Sequence, residues 1–308
     1  MKSLILLTLC LLALPSMVAE TTPPPSPTPA SAAPLSWSEL TKMPLPSAGE
    51  RINYGDVSQQ FGELRVPKGD GPFPVVVLIH GGCWLSSFDY VYITRLAAWL
   101  TERGVATWTI EYRRLGDEGG GWPGTFRDVA AATDALREVA KKAPLDLQRV
   151  YSAGHSAGGQ LALWLASRAT LPKESELFVP DPMRIRGVIG LAAITDLAQY
   201  RIGPEKSCHS SVEPLLGGNP EKVGNRYAET SPIQRLPLGV RQIFVQGERD
   251  PIVDPKSVAR YVEAAKTAGD DVVLLPLPAL GHFETSVPLP STEAAFTEAL
   301  RLLLEAAP

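Results

Sequence analysis

The sequence predicts an α/β fold in which helices flank both faces of a mostly parallel central sheet. From residue 74 onward, apolar runs that resemble buried strands alternate with amphipathic helical segments. The run PVVVLIH is continuously apolar and rich in β-branched residues, which is typical of a parallel strand buried on both faces. Such strands are joined by right-handed crossovers, so we expect a ligand site at their carboxyl ends.

The chain begins with the features of an export signal. Lys2 precedes an apolar stretch at residues 4–14, and a cleavage site follows at Ala19. Because a positive start, a short apolar stretch and a cleavage site occur together, we predict a signal peptide over residues 1–19. A buried N-terminal helix and lipid attachment at Cys10 are the weaker alternatives. We therefore expect a secreted or periplasmic protein with no stable membrane anchor after cleavage.

A proline-dense segment separates this signal from the rest of the chain. Proline disfavours both helix and sheet, so TTPPPSPTPASAAPLS (21–36) predicts a Pro/Ser/Thr-rich linker over residues 20–46. The remaining residues, 47–308, are enough for one folded domain with a sizeable core. The net charge of −4 provides no basic surface, so we expect no nucleic-acid partner.

Within this domain, strands and helices are expected in a definite order. The predicted strands are INYGD (52–56), QFGELRVP (60–67), PVVVLIH (74–80), VATWTIEY (105–112), RVYSAG (149–154), IRGVIGL (185–191), RQIFVQG (241–247) and DVVLLPL (271–277). The predicted helices cover residues 92–104, 126–143, 159–169, 257–269 and 291–305. The irregular segment 199–239 is expected to form a small lid insertion before the strand at 241–247.

The motif GHSAGG (154–159) lies between a predicted strand and a predicted helix. In that context Ser156 is the candidate nucleophile, since a sharp strand-to-helix turn exposes the hydroxyl and the helix directs N–H groups at developing negative charge. Gly154 and Gly158 leave room for such a turn. The alternative is a glycine-rich turn before a buried helix, with no catalytic role.

A nucleophilic serine needs a base, and the base needs an acid that orients it. Among the four histidines, His282 is the candidate base, because it follows the serine in the chain and comes directly after a predicted strand. Asp250, three residues after Gly247, is the preferred acid. Asp254 and Glu248 remain alternatives, and Asp254 is also placed to cap the next helix.

The loop after the third predicted strand, HGGCW (80–84), is the candidate oxyanion site. Its glycines allow the backbone to turn so that N–H groups face an incoming carbonyl oxygen. We expect the N–H groups of Gly82 and Cys83 to act there together with that of Ala157. A simple tight turn is the alternative. Trp84, the next residue in the loop, is a candidate wall of the substrate pocket.

With these motifs in this order, the chain resembles the α/β-hydrolase superfamily, specifically its branch of small esterases, lipases and kynurenine-formamidase-like enzymes. The similarity covers about residues 50–305. It is carried by HGGCW, GHSAGG, DPIV (250–253) and GHFE (281–284), and also by SPIQRLP (231–237) and YRRLG (112–116). The resemblance implies an α/β-hydrolase fold. It also implies a Ser156–Asp250–His282 triad that hydrolyses a carboxylic ester or related acyl bond with no metal and no organic cofactor.

The two cysteines downstream of the predicted signal form a candidate disulfide. Disulfides persist in the oxidising compartments to which export leads. Cys83 lies in the candidate oxyanion loop and Cys208 in the predicted lid, so we hypothesise a Cys83–Cys208 bridge that pins the lid over the site. Two unpaired buried cysteines are the alternative.

Three functions follow, in order of preference. The first is a serine carboxylesterase that cleaves a small-molecule ester substrate through an acyl-enzyme intermediate. The second is an aryl-formamidase or an exopeptidase-type amide hydrolase built from the same catalytic parts. The third, from another class, is a non-catalytic binding module on a hydrolase scaffold. The complete set of candidate catalytic residues disfavours that third function.

Overall fold

An eight-stranded sheet is the centre of the computed structural model, which describes residues 33–205 and 207–305. The predicted signal peptide lies outside the described residues. The strands are β1 (Glu50–Asn53), β2 (Phe61–Arg65), β3 (Phe73–Ile79), β4 (Ala106–Ile110), β5 (Leu145–His155), β6 (Gly187–Leu191), β7 (Arg241–Gly247) and β8 (Val272–Leu277). Their order in the sheet is β1-β2-β4-β3-β5-β6-β7-β8. The β1–β2 and β2–β4 pairs are antiparallel and all the others are parallel, which confirms the predicted mostly parallel sheet.

Helices connect and flank these strands. They are α1 (Trp37–Lys42), α2 (Thr94–Glu102), α3 (Gly124–Asp134), α4 (Leu136–Val139), α5 (Ala157–Ser167), α6 (Leu197–Tyr200), α7 (Val212–Leu216), α8 (Pro220–Thr230), α9 (Pro255–Thr267) and α10 (Glu293–Leu304). The single helix predicted over 126–143 is divided into α3 and α4, because the backbone at Ala135 takes a 3₁₀-like ψ of −18°. No helix in the described residues combines the length and apolar character needed to span a membrane.

Both faces of the sheet are covered by apolar side chains. Along β3, Val75, Val77 and Ile79 pack into one hydrophobic cluster, whereas Val76 and Leu78 pack into another. This division follows from the alternation of side chains across a strand. The first cluster includes α3, α5 and α9, and the second includes α1, α2 and α10. Helices on both faces therefore explain why β3 is apolar at every position.

Helix α1 lies within the segment that the sequence predicts to be a linker. It begins with a capping box, in which the Ser36 side chain accepts the N–H of Glu39 and the Glu39 carboxylate accepts the N–H of Ser36. Leu40 has no exposed surface and packs into the second cluster. A local cap and one buried leucine thus give regular structure to residues that follow a proline-dense tract.

The sheet topology brings the candidate site residues to one edge. His80, Ser156 and Asp250 follow β3, β5 and β7, and His282 follows β8. The ends of neighbouring parallel strands meet at the same edge of the sheet. Helices α6, α7 and α8 lie between β6 and β7, where the lid insertion is predicted.

Candidate active site

Ser156 occupies a sharp turn between β5 and α5. Its φ of +57° and ψ of −120° are rare for a residue with a side chain, and such conformations concentrate at functional sites. A Cβ on Gly154 would meet the carbonyl of Gly158, and one on Gly158 would meet the carbonyl of Ile79. The two glycines of GHSAGG therefore permit the close packing that places the serine at the start of α5.

His282 and Asp250 form a buried hydrogen-bonded pair. The His282 Nδ1–H donates to Asp250 Oδ2 at 2.7 Å. The other carboxylate oxygen, Oδ1, accepts the N–H groups of Ile252 and Val253 at 2.8 and 2.9 Å, and Gln246 Nε2 donates to Oδ2 at 3.2 Å. These donors fix the carboxylate, and the carboxylate leaves His282 Nε2 without the ring proton, in the tautomer of a base.

The alternative acids lie elsewhere. Asp254 is exposed, and its side chain accepts the N–H of Lys256 at 3.0 Å as the N-cap of α9. Glu248 is also exposed. Of the three carboxylates considered from the sequence, the structure brings Asp250 to His282.

The loop HGGCW presents free N–H groups next to Ser156. Gly81 N–H donates to the hydroxyl of Tyr92 at 2.7 Å. Within the described part of the chain, the N–H groups of Gly82, Cys83 and Ala157 have no hydrogen-bond acceptor. Gly82, Cys83 and Ser156 line one cavity. The arrangement can therefore bind a negatively charged oxygen beside the serine.

The backbone of this loop is held in a costly conformation. Cys83 and Trp84 have φ values of +57° and +56°, and left-handed backbone costs an L-residue about 1–2 kcal/mol. Cys83 forms the predicted disulfide with Cys208, with the two Cα atoms 4.9 Å apart. The bridge thus ties the loop to the segment that follows α6.

Trp84 anchors the loop rather than forming a wall of the substrate pocket, which corrects the expectation from sequence. It is fully buried in the first hydrophobic cluster, and its indole Nε1–H donates to Gln160 Oε1 at 3.1 Å. Gln160 Nε2 in turn donates to the Thr230 carbonyl at 2.9 Å. The tryptophan faces the core because the polar partner of its indole N–H lies on α5.

His80 holds the HGGCW loop in place through contacts with Gly81 and Glu111. Its Nε2–H donates to Glu111 Oε1 at 2.9 Å, and its Nδ1 lies 2.8 Å from the Gly81 carbonyl oxygen. Arg114 Nη1 lies 3.1 Å from the same Glu111 oxygen. Burial raises the pKa of Glu111, but His80, Arg114 and the N–H of Tyr112 outweigh it, so the pKa is below its ordinary value. Glu111 therefore stays charged and holds His80.

His155 connects three loops of the site through hydrogen bonds. Its Nε2–H donates to the His282 carbonyl at 3.1 Å, and its Nδ1 accepts the Tyr92 hydroxyl at 2.9 Å. The same hydroxyl accepts the N–H of Gly81. Burial and the neighbouring His282 lower the pKa of His155 well below its ordinary value. The neutral imidazole therefore keeps one tautomer, which the Tyr92–His155 contact requires.

Ser156 and His282 lie at a cavity of about 250 Å³. Its lining combines Ser156 and His282 with the disulfide and a set of apolar side chains: Trp37, Phe88, Tyr92, Ile252 and Phe283. The sequence pattern does not reveal this apolar set, because its members come from four separate segments. The one local signal was the Ser36-x-x-Glu39 capping pattern, which marks the helix that carries Trp37.

The disulfide can be tested by thiol titration of the full chain carrying Cys10→Ser. Denatured and unreduced protein is expected to show no reactive thiol, and reduced protein two, because Cys83 and Cys208 are bonded to each other. Two thiols before reduction would contradict the bridge.

The hydrogen bonds of Tyr92 predict a stability loss in Tyr92→Phe. This change leaves the buried N–H of Gly81 without its acceptor and His155 without its donor, so the free energy of unfolding should fall by about 1–3 kcal/mol. Urea denaturation measures it. Tyr90→Phe is the matched control, because the Tyr90 hydroxyl has no partner among the described residues, and its effect should stay within about 0.5 kcal/mol. Equal effects in the two variants would refute the network.

The chain is similar in sequence to one protein family and to two individual proteins. The sequence model of the BD-FAE family matches residues 64–263. Esterase LipC of Mycobacterium tuberculosis is 27% identical over 247 residues, which are 75% of this chain and 59% of that protein. Dipeptidyl aminopeptidase BIII of Pseudoxanthomonas mexicana is 24% identical over 227 residues, which are 70% of this chain and 31% of that protein. The chain thus spans less than two thirds of either relative's length.

A solved structure shows the same fold. Esterase B from Lactobacillus rhamnosis superposes with a TM-score of 0.72 at 20% identity, over 86% of this chain and 88% of that one. The α/β-hydrolase fold predicted from the sequence is thereby confirmed. Because the BD-FAE match spans more than half of the residues, the chain belongs to the BD-FAE family.

Proposed function

We propose that this protein is a serine hydrolase that cleaves carboxylic esters through an acyl-enzyme intermediate. The observation that carries the proposal is that His282, hydrogen-bonded to Asp250, lines the same cavity as Ser156. The free N–H groups of Cys83 and Ala157 add a site for the developing charge. A nucleophile, a base, an acid and an oxyanion site are the four parts that acyl transfer needs.

In the first half-reaction, Ser156 Oγ attacks the ester carbonyl carbon while His282 Nε2 takes the hydroxyl proton. The carbonyl oxygen becomes an anion and accepts hydrogen bonds from the free N–H groups of Gly82, Cys83 and Ala157. The tetrahedral intermediate collapses as the C–O bond to the alcohol breaks. The His282 proton passes to the leaving alkoxide, and the acyl group remains on the serine.

In the second half-reaction, water replaces the alcohol. His282 takes a proton from the water as its oxygen attacks the acyl carbon, and the same N–H groups stabilise the second oxyanion. Collapse of this intermediate releases the carboxylic acid and returns the proton to Ser156 Oγ. Asp250 keeps its negative charge throughout and stabilises the imidazolium that forms twice in each cycle.

The cavity lining favours esters over aminoacyl substrates. An exopeptidase that binds a free amino terminus needs a negatively charged partner for the ammonium group. The described residues that line the cavity include no carboxylate side chain, and most are apolar. A neutral small-molecule ester is therefore the substrate class that we propose. Hydrolysis of an aryl formamide or another amide, the second candidate, would use the same catalytic atoms.

We also propose that the protein acts outside the cytoplasm. The predicted signal peptide at residues 1–19 supports export. The Cys83–Cys208 disulfide supports an oxidising compartment, where such bonds persist. Export would let the Cys83–Cys208 disulfide form. Because Cys83 belongs to the proposed oxyanion loop, export would thereby also stabilise that loop.

Labelling with a fluorophosphonate tests the proposed nucleophile. One adduct per chain is expected on Ser156, since an activated serine attacks phosphorus as it attacks an ester. Intact mass and peptide mapping measure the adduct. Ser156→Ala should abolish labelling, as should denaturation, which separates Ser156 from its base. A folded chain that forms no adduct would instead support a binding module without hydrolase activity.

The two aspartates predict different kinetic effects. Asp250→Asn should lower kcat for an aryl acetate by about 10⁴-fold, because an amide cannot hold His282 in the required tautomer. Asp254→Asn is the matched control and should leave kcat nearly unchanged, since this carboxylate caps α9. Steady-state kinetics measures both, and a severe loss in Asp254→Asn with a mild one in Asp250→Asn would overturn the acid assignment.

A further inference from the structure

Trp37 lies between the active-site cavity and a second cavity. The second cavity has a volume of about 260 Å³. It shares Trp37, Phe88 and Tyr92 with the cavity that contains Ser156. Away from this shared wall, its lining is partly polar and consists of Thr41, Leu45, Ser87, Asp89, Val91 and Arg95. The three aromatic residues therefore form a partition between the two spaces.

The indole of Trp37 is fixed in this partition by aromatic packing. Its ring lies 5.2 Å from that of Phe88 and 5.3 Å from that of Tyr92, both in edge-to-face geometry. It also lies 5.7 Å from the ring of Phe283, the neighbour of His282. Such pairs favour one ring orientation. Trp37 thus touches the oxyanion side and the histidine side of the cavity.

Two buried charged side chains hold the segment that carries Trp37. Before the helix, the Glu284 carboxylate accepts the N–H of Leu35 at 2.6 Å and that of Gly281 at 3.1 Å. After it, Arg95 donates to the carbonyl oxygens of Pro44, at 2.9 Å, and Met43. Hydrogen bonds to charged groups are stronger than neutral ones. The position of Trp37 is therefore coupled to the loop that ends in His282.

We propose that Trp37 is a specificity-determining residue that closes the active-site cavity and limits one side of the ester to a short apolar group. The proposal rests on the proposed ester hydrolysis. Removing the indole takes away the part of the partition that α1 contributes, and it opens a passage between the two cavities beside the remaining Phe88 and Tyr92. A longer chain can then extend past Phe88 toward Leu45. Each additional buried methylene contributes about a fourfold factor in binding.

The test compares Trp37→Ala with the unmodified chain on two ester series. One series is p-nitrophenyl esters with acyl groups of increasing length, and the other is acetate esters of increasingly long alcohols. In the series whose variable group occupies the cavity, the unmodified chain should favour short members. The variant should raise the ratio of kcat/KM for long over short members about 15-fold, which corresponds to two accommodated methylenes at about fourfold each.

Controls separate specificity from folding. Trp122→Ala removes a half-buried tryptophan whose indole donates to Glu176, and it should leave both ratios unchanged, because the described linings of the two cavities do not include Trp122. Thermal unfolding checks each variant, and Trp37→Leu serves if Trp37→Ala does not fold. Unchanged kcat/KM ratios in a folded Trp37 variant would overturn the proposed role of Trp37 but not the proposed ester hydrolysis. No hydrolysis of any ester by the unmodified chain would overturn both this role and the proposed function.

Discussion

Left-handed backbone at two adjacent turns is the constraint on which the candidate site depends. Ser156 in one turn and Cys83 with Trp84 in the other have φ values near +57°, and such sparsely populated conformations cost about 1–3 kcal/mol each. The surrounding structure holds both turns. The disulfide fixes Cys83, the Gln160 hydrogen bond fixes Trp84, and the Ser156 N–H donates to the Leu191 carbonyl at 2.8 Å. Bonds that reach α5 and the segment after α6 therefore offset the conformational cost of the turns. In the described part of the chain, the N–H groups of Gly82, Cys83 and Ala157 remain free beside the serine.

A second set of bonds sets the relative position of the loops. The neutral His155 links the His282 carbonyl to Tyr92, and Tyr92 accepts the N–H of Gly81. In the proposed mechanism His282 becomes positively charged, so a second cation beside it would oppose catalysis. The lowered pKa of His155, which burial and His282 cause, avoids that repulsion. One imidazole thus positions the site and the other is proposed to react.

The fold was predictable from the sequence because most of the buried strands can be identified from their own residue pattern. Buried strands such as β3 are continuous apolar runs, and the motifs that follow them have recognisable glycines. The preference for Asp250 over Asp254 agrees with the observed hydrogen bond between Asp250 and His282. In the sequence, Pro255 after Asp254 already indicated a helix start that Asp254 could cap, and the structure shows that cap. The pairing of Cys83 with Cys208 was also predictable, because two of the three cysteines lie downstream of the predicted signal peptide and two cysteines allow one bridge.

Other parts of the site depend on tertiary contacts that the sequence pattern does not encode. Trp84 followed the oxyanion motif and was expected at the pocket, yet its indole faces Gln160 in the core. Trp37 lay in a segment predicted to be a linker, yet hydrogen bonds between that segment and the side chains of Glu284 and Arg95 place it at the cavity. Such positions are set by partners that are distant in the chain, so spacing alone could not reveal them.

A crystal structure of the protein after reaction with a phosphonate ester would show directly whether Ser156 and the oxyanion loop act together. We expect phosphorus bonded to Ser156 Oγ, with the phosphonyl oxygen about 3 Å from the N–H groups of Cys83 and Ala157. His282 should still be hydrogen-bonded to Asp250. A phosphonyl oxygen directed away from the loop that contains Cys83, or an adduct on another residue, would refute the proposed active site.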